Sequence, residues 1–166
     1  MTLADFVPGD DTFVDANIFV YHFAVNPVLQ PISSQFLQRI ENQEIRGYTS
    51  LHILSDVAHR LLTMEAQAQH RWSSGKLIQR LKQNPAVFQT FTRFRTAIER
   101  ITQSRVAVLS STPALMVTAT QICQQSGLLI TDALTVALMQ ANNLAKIASD
   151  DSDFDRIPGL TRYAPV

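Results

Sequence analysis

The apolar positions along the chain fall into two patterns. Some are short β-branched or aromatic runs that stop at a polar residue; others recur at three- and four-residue spacing behind Ser, Thr or Pro. Thr12-Phe13-Val14 belongs to the first kind and reads as a buried strand ending at Asp15. A short helix is expected over 17–21, and a second over 32–44 with Pro31 in its first turn. Gly47 leads into a strand at 48–49. Ser50 then reads as the N-cap of a helix on which Leu51, Leu54, Val57, Ala58, Leu61 and Leu62 recur at helical spacing. A turn is expected at Ser73-Ser74-Gly75, followed by amphipathic helices over 76–82 and 86–101, parted by Pro85. A strand over 106–109 precedes a helix that starts at Ser111-Thr112-Pro113 and stops at Ser126-Gly127. An apolar segment at 128–130 leads to a helix from Thr131-Asp132 through Gln140. A strand over 145–148 then ends at Ser149-Asp150-Asp151, and a last one is expected at 161–163. Strands alternating with helices imply crossover units and a mostly parallel sheet covered on both faces.

With 166 residues, 46% apolar and 17% charged, the chain is long enough for one domain over 1–166 with its own core, and wholesale disorder is excluded. No apolar run approaches the roughly 18 residues of a membrane span. The first eleven residues carry three acids and no base, so no secretory signal is expected. A single cysteine, Cys123, excludes a disulfide framework and a Cys-rich zinc site; a reducing, cytoplasmic setting is expected. The zero formal charge conceals blocks. Residues 1–65 carry a net −5, residues 66–131 carry +7 with Glu99 as their one acid, and residues 132–166 carry −2. Such blocks suit a polyanion held beside an acidic centre, although solvated helix faces are the plainer explanation for the bases.

The acids are more telling by position than by number. In an open parallel sheet, ligands bind beyond the carboxyl ends of the strands. Asp15 follows one expected strand, and Asp150, Asp151 and Asp153 follow another. Asp132 opens a helix after an apolar segment, and Asp56 lies in the second turn of the helix after a third strand. Each alone has a dull reading: Asp132 as an N-cap, Asp150 to Asp153 as turn residues, Asp56 as a solvated flank. Together they could converge on one sheet edge. Asp oxygens are hard ligands suited to Mg²⁺ or Mn²⁺, and such an ion relieves their mutual repulsion while activating water against a phosphodiester.

These residues also resemble a known family. Phe13-Val14-Asp15-Ala16-Asn17-Ile18-Phe19 resembles the opening motif of PIN-domain nucleases. Thr49-Ser50-Leu51-His52-Ile53-Leu54-Ser55-Asp56 resembles the second motif, and Thr131-Asp132-Ala133-Leu134-Thr135-Val136-Ala137 the third. The run from Ser149 through Asp150, Asp151, Asp153 and Phe154 to Pro158-Gly159-Leu160 resembles the fourth. Within that family the motifs are similar to those of VapC-type toxins of prokaryotic toxin–antitoxin pairs. The resemblance implies a three-layer α/β/α sandwich and metal-dependent RNA cleavage. It places Asp15, Asp56, Asp132 and Asp151 in the four acidic positions. Asp153 becomes an auxiliary acid, and Asn17, Ser50 and Ser149 become polar supports. It further implies a homodimer and an antitoxin protein as partner. Two departures stand out: the second acid is Asp56 where the family usually has Glu, and the stretch from about Glu65 to Arg105 is longer than in compact toxins of this type.

The reading is therefore a cytoplasmic Mg²⁺- or Mn²⁺-dependent endoribonuclease, with Arg71, Lys76, Arg80, Lys82, Arg93 and Arg95 as candidate contacts to the RNA backbone. Its rival is a PIN-like RNA- or protein-binding module without catalysis, which the shorter acid at 56 favours. His52 and His59 share a helix without an HExxH pattern, so zinc is not expected. Phe88, Phe91 and Phe94, spaced by three, read as helix core rather than as base-stacking platforms, and Cys123 as a small buried hydrophobe. No Gly-rich phosphate loop or Gly-x-Ser-x-Gly elbow is present. A receiver-type phosphoacceptor fits poorly, because Asp10-Asp11 precede the first strand and Lys146 begins one.

Overall fold

A computed structural model describes residues 1–72 and 74–166. Ser73, part of the expected 73–75 turn, lies outside the described residues. Five strands, β1 (Asp11–Val14), β2 (Arg46–Ser50), β3 (Ala107–Leu109), β4 (Lys146–Ala148) and β5 (Thr161–Tyr163), form one sheet in the order β3-β2-β1-β4-β5. Every pairing is parallel, so the sheet is wholly parallel. Phe13 stands opposite Tyr48 on one side and Ile147 on the other, which makes β1 the central strand. Phe13 and Val14 are fully buried, as expected of a strand covered on both faces.

The chain runs outward from β1 to β2 and β3, then returns over the sheet to β4 on the other side of β1. Parallel pairing makes every connection a crossover, and helices between the strands cover the sheet. The helices α1 (Ala16–Phe23), α2 (Leu29–Glu41), α3 (Leu51–His70), α4 (Leu77–Gln83) and α5 (Arg93–Gln103) belong to the outward half. On the return, α6 (Pro113–Ser126) and α7 (Ile130–Ala141) pack against each other. Strand order reverses between β1 and β4, so the crevice at their carboxyl ends is the topological switch point. The main core is built on Phe13, Phe19, Phe36, Ile40, Ile147 and Phe154, with Phe6 stacked on Tyr163 at 3.9 Å between ring centroids.

Several local signals behave as the sequence indicates. Thr112 caps α6 by accepting the Leu115 N–H at 3.3 Å, and Gly127 ends that helix with φ 71°. Others differ for identifiable reasons. Helix α2 begins at Leu29, before Pro31, because the Asn26 side chain accepts the Val28 and Leu29 N–H groups at 3.0 and 2.9 Å and starts the turn earlier. Cys123 is half-buried against the core rather than enclosed.

The expected helix over 86–101 is two elements. A 3₁₀ helix spans Pro85–Thr90, the backbone is extended at Phe91, and α5 starts at Arg93. The break is made by Glu65, a buried acid on α3, whose two carboxylate oxygens accept the Thr92 and Arg93 N–H groups at 3.1 and 3.0 Å. These are the donors a helix start leaves without partners, and a carboxylate there also favours the helix dipole. The three-residue spacing of the phenylalanines therefore belongs partly to a 3₁₀ turn. Phe91 is buried in a second, small apolar cluster with Ala66, Leu77 and Leu81, Phe94 touches both clusters, and Phe88 is exposed.

Glu65→Ala should cost about 2 kcal/mol, the scale of a strong helix cap lost together with buried hydrogen bonds. Glu65→Gln, which keeps one carbonyl acceptor, should recover about half. Denaturant unfolding of the three chains checks this; equal midpoints for wild type and Glu65→Ala would refute the capping role.

Candidate active site

Asp15 leaves β1 at the switch point. Its N–H donates to the Ala148 carbonyl at 3.1 Å, continuing the ladder to β4 for one residue, and its carboxylate then caps α1 through the Ala16 N–H at 2.7 Å. The second oxygen, Oδ2, accepts the Asn17 amide and the Ser149 hydroxyl, each at 2.6 Å. Ser149 is fully buried at the end of β4. Its Oγ also accepts the Asp151 N–H at 3.0 Å, while the Asn17 Oδ1 accepts the Asp150 N–H at 3.1 Å. Asn17 and Ser149 thus sew the turn after β1 to the turn after β4, with Asp15 as the shared acceptor. Asp151 caps the short 3₁₀ helix Ser152–Arg156 by accepting the Asp153 N–H at 2.9 Å.

The other carboxylates are related to this group through charge. Asp132 sits at the third position of α7 and caps nothing with its side chain; the N-cap residue is Leu129. Its carboxyl is pushed up to about 6, chiefly by burial and then by the negative charges of Asp151, Asp15 and Asp153. Burial also raises the Asp15 carboxyl above the usual range, against the hydrogen bonds from Ser149 and Ala16 and the positive charge of Arg60. Asp56 stands apart. It is exposed on α3 and faces Arg60 across 3.7 Å. Among the described residues, no three His, Cys, Asp or Glu side chains are gathered closely enough to hold an ion. The donor chemistry nevertheless fits a divalent cation: hard oxygens from three chain segments, at a site whose proton affinity is raised by burial and then by neighbouring negative charge.

Ser50 occupies the N-cap position of α3 but does not cap with its hydroxyl. That hydroxyl meets His52 Nδ1 at 2.9 Å, and His52 Nε2 meets the Thr135 hydroxyl at 3.0 Å. His52 therefore ties the start of α3 to α7, one turn beyond Asp132. Tyr21, on α1, donates its hydroxyl to Asp150 at 2.6 Å; burial and that acceptor push its pKa up to about 12. Tyr21, His52, Arg60 and Thr135 carry no spacing signal that would mark them, because their partners lie on other elements. The candidate RNA contacts Arg71, Lys76, Arg80, Lys82, Arg93 and Arg95 are all exposed: Arg71 just past the end of α3, Lys76 at the end of a 3₁₀ turn before α4, Arg80 and Lys82 on α4, and Arg93 and Arg95 on α5. The Arg80 guanidinium lies 5.8 Å from the Trp72 ring centre, and Arg95 pairs with Glu99 at 2.8 Å.

An all-parallel sheet with carboxylates at its switch point defines a class of acid-centred α/β protein. The family model of the PIN domain matches residues 12–160, and the chain belongs to the PIN-domain family. Three solved structures share the fold. VapC20 of Mycobacterium tuberculosis, described as a toxin that cleaves the sarcin-ricin loop, superposes with a TM-score of 0.61 at 16% identity, over 87% of this chain and 92% of its own. VapBC2 of Rickettsia felis, bound to a promoter DNA fragment, gives 0.56 at 18% identity over 93% and 98%. A Pyrobaculum aerophilum protein gives 0.51 at 11% identity over 92% and 88%. No curated protein matches the chain.

The raised Asp132 carboxyl sets a pH dependence of stability. Its folded pKa of about 6 lies above the ordinary value of 3.8, so the folded state binds the proton more tightly, and stability falls as pH rises between those two values. Asp132→Asn should therefore stabilise the metal-free protein at pH 7.5 by about 1 kcal/mol, after discounting for solvent screening at a half-exposed group. Below pH 4 the gain should vanish. Unfolding midpoints across pH 3.5–8 measure it, and a pH-independent difference would contradict the repulsion.

Proposed function

We propose that this protein is a Mg²⁺- or Mn²⁺-dependent endoribonuclease and the toxin of a toxin–antitoxin pair. The observation that carries the reading is the Asp15–Asn17–Ser149 group at the switch point, with Asp132 and Asp151 in its field. Asp15, Asp132 and Asp151 would hold the cation, with Asp153 as an auxiliary acid. A bound divalent ion supplies an activated water and neutralises charge on the phosphodiester. The chain's own residues do the rest. Asn17 and Ser149 fix the direction of Asp15 Oδ2, and Ser149 orients the turn that carries Asp151. Asp56, outside the crowded group and facing Arg60, would be a further ligand or the base for the attacking water once released from that pair. By the family resemblance, the products carry 5′-phosphate and 3′-hydroxyl ends.

The likeness to VapC20 supports RNA as substrate, and the likeness to VapBC2 supports a cognate antitoxin. A homodimer and a cytoplasmic setting complete the proposal. Residues 106–131 contain no charged side chain, yet Val108, Met116, Val117, Leu129 and Ile130 are exposed within them, which supports a protein-covered face. A second reading, an RNA- or protein-binding module without catalysis, is favoured by one observation: Asp56 is engaged with Arg60 rather than gathered with the other acids.

Cleavage of a labelled RNA panel with Mn²⁺, and its loss in EDTA, tests the proposal. Asp15→Asn should reduce cleavage by at least about 100-fold, because it removes charge at the cation site while keeping shape. Full activity in Asp15→Asn would remove this residue from the mechanism. Binding without cleavage, under Mg²⁺ and Mn²⁺ alike, would establish the second reading.

A further inference from the structure

We infer that Arg60 is a substrate-binding residue that takes an RNA phosphate on the α1–α3 side of the acidic centre, an assignment that rests on the ribonuclease reading above. A phosphodiester approaching Asp15, Asp132, Asp151 and Asp153 meets like charge, so the centre needs a cation of its own as well as any bound metal. Among the described residues, Arg162, Arg156 and Arg60 contact residues of the four motifs there. Arg162 is committed: it grips Asp155 with two hydrogen bonds of 2.9 and 2.8 Å and donates to the Ser149 carbonyl at 3.3 Å. Arg156 pairs with Asp153 at 2.8 Å. Arg60 is the loosely held one. Its 3.7 Å approach to Asp56 is the longest of the seven ion pairs among the described residues, and it is too long for a hydrogen bond.

Its position also fits. Arg60 lies one turn beyond Asp56 on α3, a helix of 20 residues anchored by Leu54, Val57 and Leu61 in the core. Its side chain is partly exposed, and its positive charge acts on both Asp15 and the Tyr21 hydroxyl. Helix α1, which carries Asp15 at its N-cap and Tyr21 along its length, packs against α3, so Arg60 lies on an element that borders the centre. A guanidinium offers a planar fork that matches two phosphate oxygens, which a weak contact to one carboxylate oxygen leaves unused. Turning from Asp56 to a phosphate exchanges one anion for another, and it releases the Asp56 carboxylate beside the bound RNA.

The test uses full-length protein. In the cleavage-blocked Asp15→Asn background, binding of a fluorescent single-stranded RNA is followed by anisotropy across salt concentrations. Adding Arg60→Gln should weaken binding roughly 5- to 10-fold and lower the salt slope by about 0.7, the value for one phosphate contact on a single strand. Adding Arg60→Lys should keep the slope, since the charge remains, but lose several-fold in affinity, since the fork is gone. Arg105→Gln removes the same charge at the amino end of β3, the opposite edge of the sheet, and should leave the slope unchanged. Equal slopes and affinities for Arg60→Gln and its parent would overturn the assignment, as would an equal loss in Arg105→Gln, which would reveal only overall charge. Should Arg60→Gln fail to fold, Arg60→Lys carries the test, and undiminished affinity there would overturn the claim. Absence of both RNA binding and cleavage in the unsubstituted protein would instead bring down the ribonuclease reading itself.

Discussion

The bond from the Ser149 hydroxyl to Asp15 Oδ2, 2.6 Å long, holds together the only part of the sheet where strand order reverses. Beyond Val14 and Ala148, which stand opposite each other, the two chains must part, because β1 continues into α1 and β4 into a short turn. Parting strands leave backbone donors and acceptors without ladder partners. Asp15, Asn17 and Ser149 supply those partners with side chains: Ala16 and Asp151 donate to Asp15 and Ser149, and Asp150 donates to Asn17. The same atoms that close the sheet aim its carboxylates, so the fold and the site rest on one set of contacts.

That economy has a cost in electrostatics. Burial raises the proton affinity of Asp15 and, together with the charges of neighbouring acids, that of the half-buried Asp132, and the hydrogen bonds at Asp15 offset the effect only in part. A protein selected for stability alone would place amides or hydroxyls here. Retaining the carboxylates makes sense where a cation or a phosphate-bearing ligand changes the local charge, which is why the repulsion and the proposed chemistry belong to the same explanation. His52 and Tyr21 show how the surrounding elements are braced against it: one joins α3 to α7 through Ser50 and Thr135, the other holds Asp150 from α1.

Much of this was legible in the order of residues, and for specific reasons. The strand ending at Asp15, the Thr112 and Gly127 ends of α6, and the strand ending at Ser149 are local signals, because short continuous apolar runs and helix caps are decided by neighbours in sequence. A mostly parallel sheet followed from the alternation of those elements, and all five strands are parallel. The early start of α2 and the break at Phe91 were hidden, since Asn26 and Glu65 act on backbone groups that no periodicity reveals; Glu65 acts across 27 and 28 residues. The candidate acids were readable because a motif names residues. The partners Tyr21, Arg60 and Thr135 were not, because each is defined by what another element brings to it. Asp132 shows both sides: its position at a helix start was visible, but the N-cap position belongs to Leu129, which makes no side-chain cap bond, and what distinguishes Asp132 is its burial together with the charge of three acids distant in sequence.

The same reasoning gives meaning to the zero net charge. The bases from Arg71 to Arg95 lie among no acids between Glu65 and Glu99, and Glu65 is spent capping α5. Their charge is therefore left to solvent or to a polyanion, apart from Arg95, which Glu99 holds. From Asp56 to Arg71 along α3 is about 22 Å at 1.5 Å per residue, well beyond a Debye length of about 8 Å at physiological salt. Across that distance the basic end cannot neutralise Asp56, which itself stands apart from the acids at the switch point. A ligand that meets both must be long and negatively charged, with one part held by α4 and α5 and another at the switch point. A small acidic metabolite could satisfy either region but would gain nothing from the spacing, whereas a nucleic-acid strand would gain from both.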